Sequence, residues 1–185
     1  MTPDFYTSDL HFGHANVIQY SSRPFSNVAE MNDALMKNYR NAVGSKDTVL
    51  WLGDCFLCPP ELARNILTQL PGRKILCLGN HDRSAAAMAR MGFDLVTDAV
   101  TLNIAGRTVR ANHYPYVGTS SREVDTERSE LPWPTRRQEE ALLHGHTHSQ
   151  KRRDGNMIHV GVDAWDYRPA SSPEIEELVR SVFGA

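Results

Sequence analysis

Three short apolar, β-branched runs near the start of the chain, at positions 4–8, 48–52 and 74–78, are separated by two amphipathic stretches. This alternation constrains the fold more than any other feature, because strand, helix, strand, helix, strand argues for an α/β or α+β sandwich and against a helical bundle. In the first stretch Val28, Met31, Leu35, Tyr39 and Val43 recur at helical spacing behind the candidate caps Ser26 and Asn27. In the second, Pro59 and Pro60 open a pattern of Leu62, Ile66, Leu67 and Leu70 that Pro71 and Gly72 close. An Ala-rich helix is expected over 84–91, stopped by Gly92, and a last helix over about 173–183. Later strands are expected in succession over 96–104, 108–112, 141–148 and 157–162, with hairpin turns at 103–107 and 150–156.

A length of 185 residues suits one domain, 1–185, and the chain shows no internal repeat or linker. Twenty basic against 22 acidic side chains leave a net charge of -2, so composition supplies no bulk attraction to nucleic acid or an anionic membrane. No apolar stretch approaches the roughly 20 residues that span a bilayer. The first ten residues lack a basic segment and carry Asp4 and Asp9, which is not a secretory signal. Three cysteines, Cys55, Cys58 and Cys77, fit a reducing compartment, and the cytoplasm is the expected location. Cys55 and Cys58 form a C-x-x-C without a second pair, so buried thiols are expected there and not a zinc site. The one long irregular segment, 116–137, holds Gly118, two prolines and Trp133 and is a candidate lid.

The chemistry is concentrated at the ends of the expected strands. Of eight histidines, five fall there beside Asp, Asn or Gly. Asp9 and His11 are two apart, so continued strand geometry would turn both side chains to one face, and His146 and His148 repeat the spacing. Between them lie Gly53-Asp54, Gly79-Asn80-His81-Asp82 and His113. Glycine at 53, 79 and 145 lets the backbone turn sharply and approach a ligand. Carboxylate, imidazole and amide donors together suit divalent transition metals such as Mn, Fe, Zn, Ni or Co. Seven such side chains suffice for two ions, with one carboxylate bridging ions about 3.5 to 4 Å apart.

The ordered set resembles the calcineurin-like metallophosphoesterase superfamily, whose pattern runs D-x-H, G-D, G-N-H-[DE], a single His, and G-H-x-H. All five motifs are present in order, as Asp9-Leu10-His11, Gly53-Asp54, Gly79-Asn80-His81-Asp82, His113 and Gly145-His146-Thr147-His148. The chain is similar, more closely, to small bacterial and phage members with D-L-H-F-G-H-x-N near the start, here 9–16, and G-V-D-x-W near the end, here 161–165. The resemblance implies a four-layer α/β/β/α sandwich of two mixed β-sheets flanked by helices, with metal ligands on loops at one edge. It implies that Asp9, His11 and His148 hold one metal and Asn80, His113 and His146 the other, with Asp54 bridging. Manganese is the first choice for both ions, and iron, nickel, zinc and cobalt are alternatives. Metal-activated hydroxide would attack phosphorus in line. His81 would donate toward the phosphate and leaving oxygen, oriented and kept cationic by Asp82.

Outside the five superfamily motifs, His14 and Asn16 are candidates for contact with substrate phosphate or for supporting the ligands. Arg23 either meets an anionic substrate or is solvated or braces a helix. His144 is expected to be structural, and His159 exposed or hydrogen-bonded. Lys151, Arg152 and Arg153 could steer a polyanion, but a hairpin turn normally just solvates such charge. The activity expected is a binuclear metal-dependent phosphodiesterase acting on cyclic nucleotides or nucleotide-like diesters. A phosphomonoesterase and a nucleic-acid end-processing nuclease are the alternatives, with a non-catalytic interaction module more remote. The expected partner is a phosphate-ester substrate, a nucleotide or nucleic-acid end included, and no membrane. The sequence leaves the oligomeric state open.

Overall fold

The computed structural model describes residues 2–116, 133–135 and 140–184. The early alternation builds a parallel sheet of β1 (Phe5–Thr7), β2 (Thr48–Trp51), β3 (Arg73–Cys77) and β4 (Leu95–Thr97), to which β10 (Ala170–Ser171) adds an antiparallel edge beside β1. A second mixed sheet has the order β5, β6, β7, β9, β8. Its strands are β5 (Ala99–Ile104), β6 (Arg107–Asn112), β7 (Ala141–His144), β8 (Arg153–Asp154) and β9 (Met157–His159). In it β6, β7 and β9 run parallel, while β5 and β8 are antiparallel to their neighbours.

Alternation along β2 divides the molecule into two cores. Val49 and Trp51 face α1 (Ala15–Tyr20), α2 (Val28–Ala42), α3 (Pro60–Thr68) and α4 (Ala85–Met91), burying Val17, Met31, Leu35, Ile66 and Met88. Leu50 and Leu52 face the other way and pack with Val109, Ala111, Leu143 and Ile158 of the second sheet. α5 (Ser172–Val182) adds Ile175 and Val179 to that second core. The arrangement is the expected one, two mixed sheets flanked by helices. The expected caps also appear: Asn27 Oδ1 accepts from the Glu30 N–H at 3.0 Å, and Glu30 accepts from the Ser26 N–H at 2.8 Å.

Two expected strands are corrected. The run 96–104 is not one strand, because β4 pairs with β3 while β5 pairs with β6, so the chain crosses from one sheet to the other at Asp98. The run 141–148 ends as a strand at His144, where Gly145 and the left-handed His146 (φ 66°) break the ladder. α1, β8 and β10 were not expected, since six-residue and two-residue elements are too short to show a period. Among the described residues no helix is long and apolar enough to cross a membrane.

Parallel strands are what position the site. Because β1, β2 and β3 run the same way, the segments that follow them all emerge at one edge, and β6, β7 and β9 do the same in the second sheet. A bridge between Ser8 and Gly161 ties the two edges together.

Candidate metal centre

At this edge the loops are joined by their backbones before any side chain is considered. The Asp9 N–H donates to Gly53 O at 3.1 Å, the His11 N–H to Asp54 O at 3.0 Å, and the Gly145 N–H to His113 O at 2.9 Å. The His146 N–H donates to both carboxylate oxygens of Asp9 at 3.0 Å. That approach requires Gly145: a Cβ there would fall on Ser8 Oγ and within 2.5 Å of Asp9 Oδ2.

Asp9, His11, Asp54, His146 and His148 all have left-handed backbones, with φ between 49° and 66°. For residues other than glycine each such conformation costs about 1–3 kcal/mol and persists only where the surroundings enforce it. Hence the convergence of Asp9 with His11, and of His146 with His148, does not come from continued strand alternation as expected. β1 ends at Thr7, and tight left-handed turns aim the side chains instead.

Two groups of donors result. Asp9, His11 and His148 present ligand atoms within 4.8 Å of one another, and so do Asp54, His113 and His146. Asn80 joins the second group, its Oδ1 lying 3.0 Å from His113 Nε2 and 3.2 Å from His146 Nδ1. Asp54 Oδ2 stands between the groups, 3.5 Å from His11 Nε2 and 3.5 Å from His113 Nε2. Two donors each about 2.1 Å from a tetrahedral ion lie about 3.4 Å apart, so both spacings suit shared ions. His11 is 3% exposed and, among the described residues, neither ring nitrogen has a hydrogen-bond partner, a costly state for a buried imidazole that a cation would relieve. His113 Nδ1 lies 2.6 Å from Leu52 O, which sets Nδ1–H as the donor and frees Nε2 for a ligand. The donor set therefore fits two divalent transition metals.

Ionisation follows the crowding. Burial, then the neighbouring His148, holds the His11 imidazole well below its ordinary value. Burial raises the Asp9 carboxyl, against the pull of His148 and His113. Burial alone would lower His113, but Asp54 and Asp9 outweigh it and raise it.

The remaining site residues divide. His81 is exposed, its ring 5.4 Å from that of His11, and its backbone N–H donates to Asp54 Oδ1 at 2.9 Å. Asp82 does not orient the His81 ring as expected. Its carboxylate accepts from the N–H groups of Asp54, Cys55 and Gly79 at 2.9–3.0 Å, pinning the two ligand loops together. Burial, then Asp54, pushes it up to about 6. His14 lies beside the site, its ring 5.6 Å from that of His11, and Asn16 is exposed on the first turn of α1. The three cysteines are free, and neither donor group includes one.

Of the alternatives for Arg23, substrate contact, solvation or a brace, the structure shows a buried brace, of loops and not of a helix. It is 4% exposed, its Nε and Nη2 donate to the Asp163 carboxylate at 2.9 Å, and its Nη1 and Nη2 donate to the carbonyls of Leu10 and Asp9. Asp163 in turn lies 2.9 Å from His148 Nδ1, which leaves Nε2 of that ring for an ion. Burial would raise the Asp163 carboxyl, but the bonds from His148 and Arg23 hold it below its ordinary value. Sequence reading assigned Asp163 no role, although it sits in the quoted G-V-D-x-W. His159 is also corrected: it is buried, not exposed, with Nε2 3.9 Å from Asp9 Oδ2. His144 is buried behind it, bonded to Gly145 O and held down to about 4 by burial. The expected lid over 116–137 lies outside the described residues apart from Tyr116 and 133–135. Trp133 stacks on Tyr114 at 4.5 Å and meets His146 edge-on at 5.5 Å.

Fold and site together define a two-sheet α/β protein with paired Asp/His metal-ligand groups where its parallel strands end. No protein-family model matches the chain. It is 34% identical to the gene 66 protein of Mycobacterium phage L5, across 98% of this chain and 96% of that one. It is 30% identical to the uncharacterized protein MJ1445 of Methanocaldococcus jannaschii, across 95% and 90%. The crystal structure of AQ665 from Aquifex aeolicus, a protein of unknown function, matches with a TM-score of 0.71 at 26% identity, covering 94% of this chain and 97% of that one. The chain belongs to the family of these gene 66 and MJ1445 proteins.

Proposed function

We propose that this edge is a two-metal phosphoesterase centre of the calcineurin-like kind, acting on phosphodiesters. The observation that carries the reading is Asp54 Oδ2, 3.5 Å from a ligand nitrogen of each group, where one carboxylate would serve two ions. Asp9, His11 and His148 would hold one ion and Asn80, His113 and His146 the second, with manganese the first candidate. When bound, the two cations neutralise charge on phosphoryl oxygens and make water a nucleophile near neutral pH.

The chain's own residues divide the remaining work. Asp163 and Leu52 O fix the ring nitrogens that His148 and His113 turn away from the ions. Asp82 holds the Asp54 and Asn80 loops in register through three backbone bonds. His81 is the exposed ring beside His11, free to hydrogen-bond a phosphoryl oxygen and to protonate the leaving oxygen. His14 is the next ring in reach of substrate phosphate. The exposure of His81 leaves room for the second ester group, which favours diesters over monoesters. Cyclic nucleotides and nucleotide-like diesters are the compounds to try, and the free cysteines suit a cytoplasmic setting.

The test is hydrolysis of bis-p-nitrophenyl phosphate and p-nitrophenyl phosphate by metal-stripped protein re-supplied with Mn, Ni, Zn or Mg, with bound metal counted. Turnover should return with metal, at two ions per chain and faster on the diester. Asp54→Ala should lose both turnover and metal. Full activity with two ions in that variant, or no turnover in a chain holding two ions, would overturn the reading.

A further inference from the structure

Three arginines, Arg64 on α3, Arg83 just after the His81-Asp82 pair and Arg90 on α4, line one groove of about 250 Å³ floored by Pro60, Ala87 and Met91. None of the three takes part in an ion pair among the described residues, whereas the basic turn at 151–153 is largely committed. There Arg152 bonds Ala164 O and covers the Trp165 ring at 4.2 Å, and Arg153 bonds Ser181 Oγ. Three uncompensated guanidinium groups at one concavity make a local anion site on a chain whose net charge is -2. Arg83, Ala87 and Arg90 follow one face of the chain entering and forming α4.

A second observation starts from His11, a candidate metal ligand. The ring of His11 is 5.4 Å from His81, which precedes Arg83 by two residues, and 5.6 Å from His14. His14 in turn meets Tyr20 edge-on at 6.4 Å, and Tyr20 is 70% exposed, the most exposed large hydrophobic side chain described. An exposed aromatic ring beside His14 and a groove of arginines that includes Arg83, two residues after His81, are the two components of a single-strand binding surface. Stacking holds a base and guanidinium groups hold the backbone.

We propose that Tyr20 and the Arg64, Arg83 and Arg90 groove bind single-stranded nucleic acid and present one of its phosphodiesters to the metal-bearing edge, which rests on the phosphoesterase reading of that edge. A single strand is favoured because the groove lining pairs apolar Pro60, Ala87 and Met91, which unpaired bases can contact, with three guanidinium groups.

The experiment is fluorescence anisotropy of a labelled oligothymidylate with the full chain, metal-loaded and again under chelator to hold cleavage off, across a salt series. Three phosphate contacts should give a log–log salt slope of about -2, at about 0.7 per contact. Arg64→Gln and Arg90→Gln should each weaken binding several-fold and flatten the slope by about 0.7, while bis-p-nitrophenyl phosphate turnover stays unchanged. Tyr20→Ala should weaken binding several-fold with the slope intact, because stacking releases no counterions. Absence of saturable binding, or a slope indifferent to both arginine variants, would overturn the proposal. Equal competition by tripolyphosphate, phosphate for phosphate, or preferential binding of a phosphopeptide would overturn the nucleic-acid assignment. Loss of ester hydrolysis with oligonucleotide binding kept would count against the phosphoesterase reading alone.

Discussion

The edge that carries the candidate metal ligands and the start of α5 are both dense polar junctions, and they are built in opposite ways. At α5 the Glu174 carboxylate accepts from the Ser171 N–H at 2.9 Å, Ser171 Oγ at 2.7 Å and Arg168 at 2.7–3.0 Å, so every partner lies within six residues. At the edge the partners are remote in sequence: Arg23 reaches Asp163 across 140 residues, and His146 reaches Asp9 across 137. The α5 junction is complete on its own. The edge instead has five ligand candidates in left-handed backbones and, in His11, a buried ring with no hydrogen bond among the described residues. A junction that serves stability satisfies its groups locally, whereas one that serves a ligand holds them ready, and the rest of the fold sustains the strain.

The difference can be broken most sharply at Asp163. Asp163→Ala leaves Arg23 buried without its carboxylate, which should cost about 3–5 kcal/mol in urea unfolding of the chelated protein. It should also weaken metal binding 10–100-fold by releasing His148. An unchanged metal affinity would show that His148 is not positioned through Asp163.

Metal itself should sharpen the contrast at the next level. Cation at a hundredfold excess over its dissociation constant should stabilise the chain by about 2.7 kcal/mol per site. Amide hydrogen exchange should slow in the loops at 8–14, 53–56, 79–82 and 145–148 more than at the start of α5. Equal slowing everywhere would mean that the edge is no less stable than its surroundings.

The smallest effects belong to α5. Glu174→Ala should cost about 1 kcal/mol, the ordinary value of a lost cap, and leave metal content unchanged. Its pH signature has a definite sign. The bond from Arg168, chiefly, lowers the Glu174 carboxyl to about 2 in the folded chain. Its contribution is therefore complete above the unfolded value near 4.5 and is lost as pH falls toward 2. Acid unfolding of Glu174→Gln should be flatter across that window, and an unchanged profile would place Glu174 outside the cap.

Much of this molecule could be read from its sequence, for reasons that are local. α2 was legible because its apolar spacing and its cap at Asn27 are properties of neighbouring residues. The ligand candidates were legible because each follows a strand, and parallel strands bring their ends together whatever their exact limits. The split of 96–104 was not legible, since an alternating run looks the same whether it stays in one sheet or crosses to another. The roles of Asp82 and Arg23 were also hidden. A carboxylate next to His81 invites pairing with that ring, yet in the fold three backbone N–H groups reach it first. Arg23 looks like a free cation until Asp163 arrives from the far end of the chain.

The sequence by itself determined the donor types, their order and the α/β alternation that gathers them, because these depend on residue chemistry and short-range periodicity. Only the tertiary structure decided which nitrogens and oxygens face one another and which charge is buried against which. Those outcomes depend on left-handed turns and on contacts across more than a hundred residues, which no local pattern encodes.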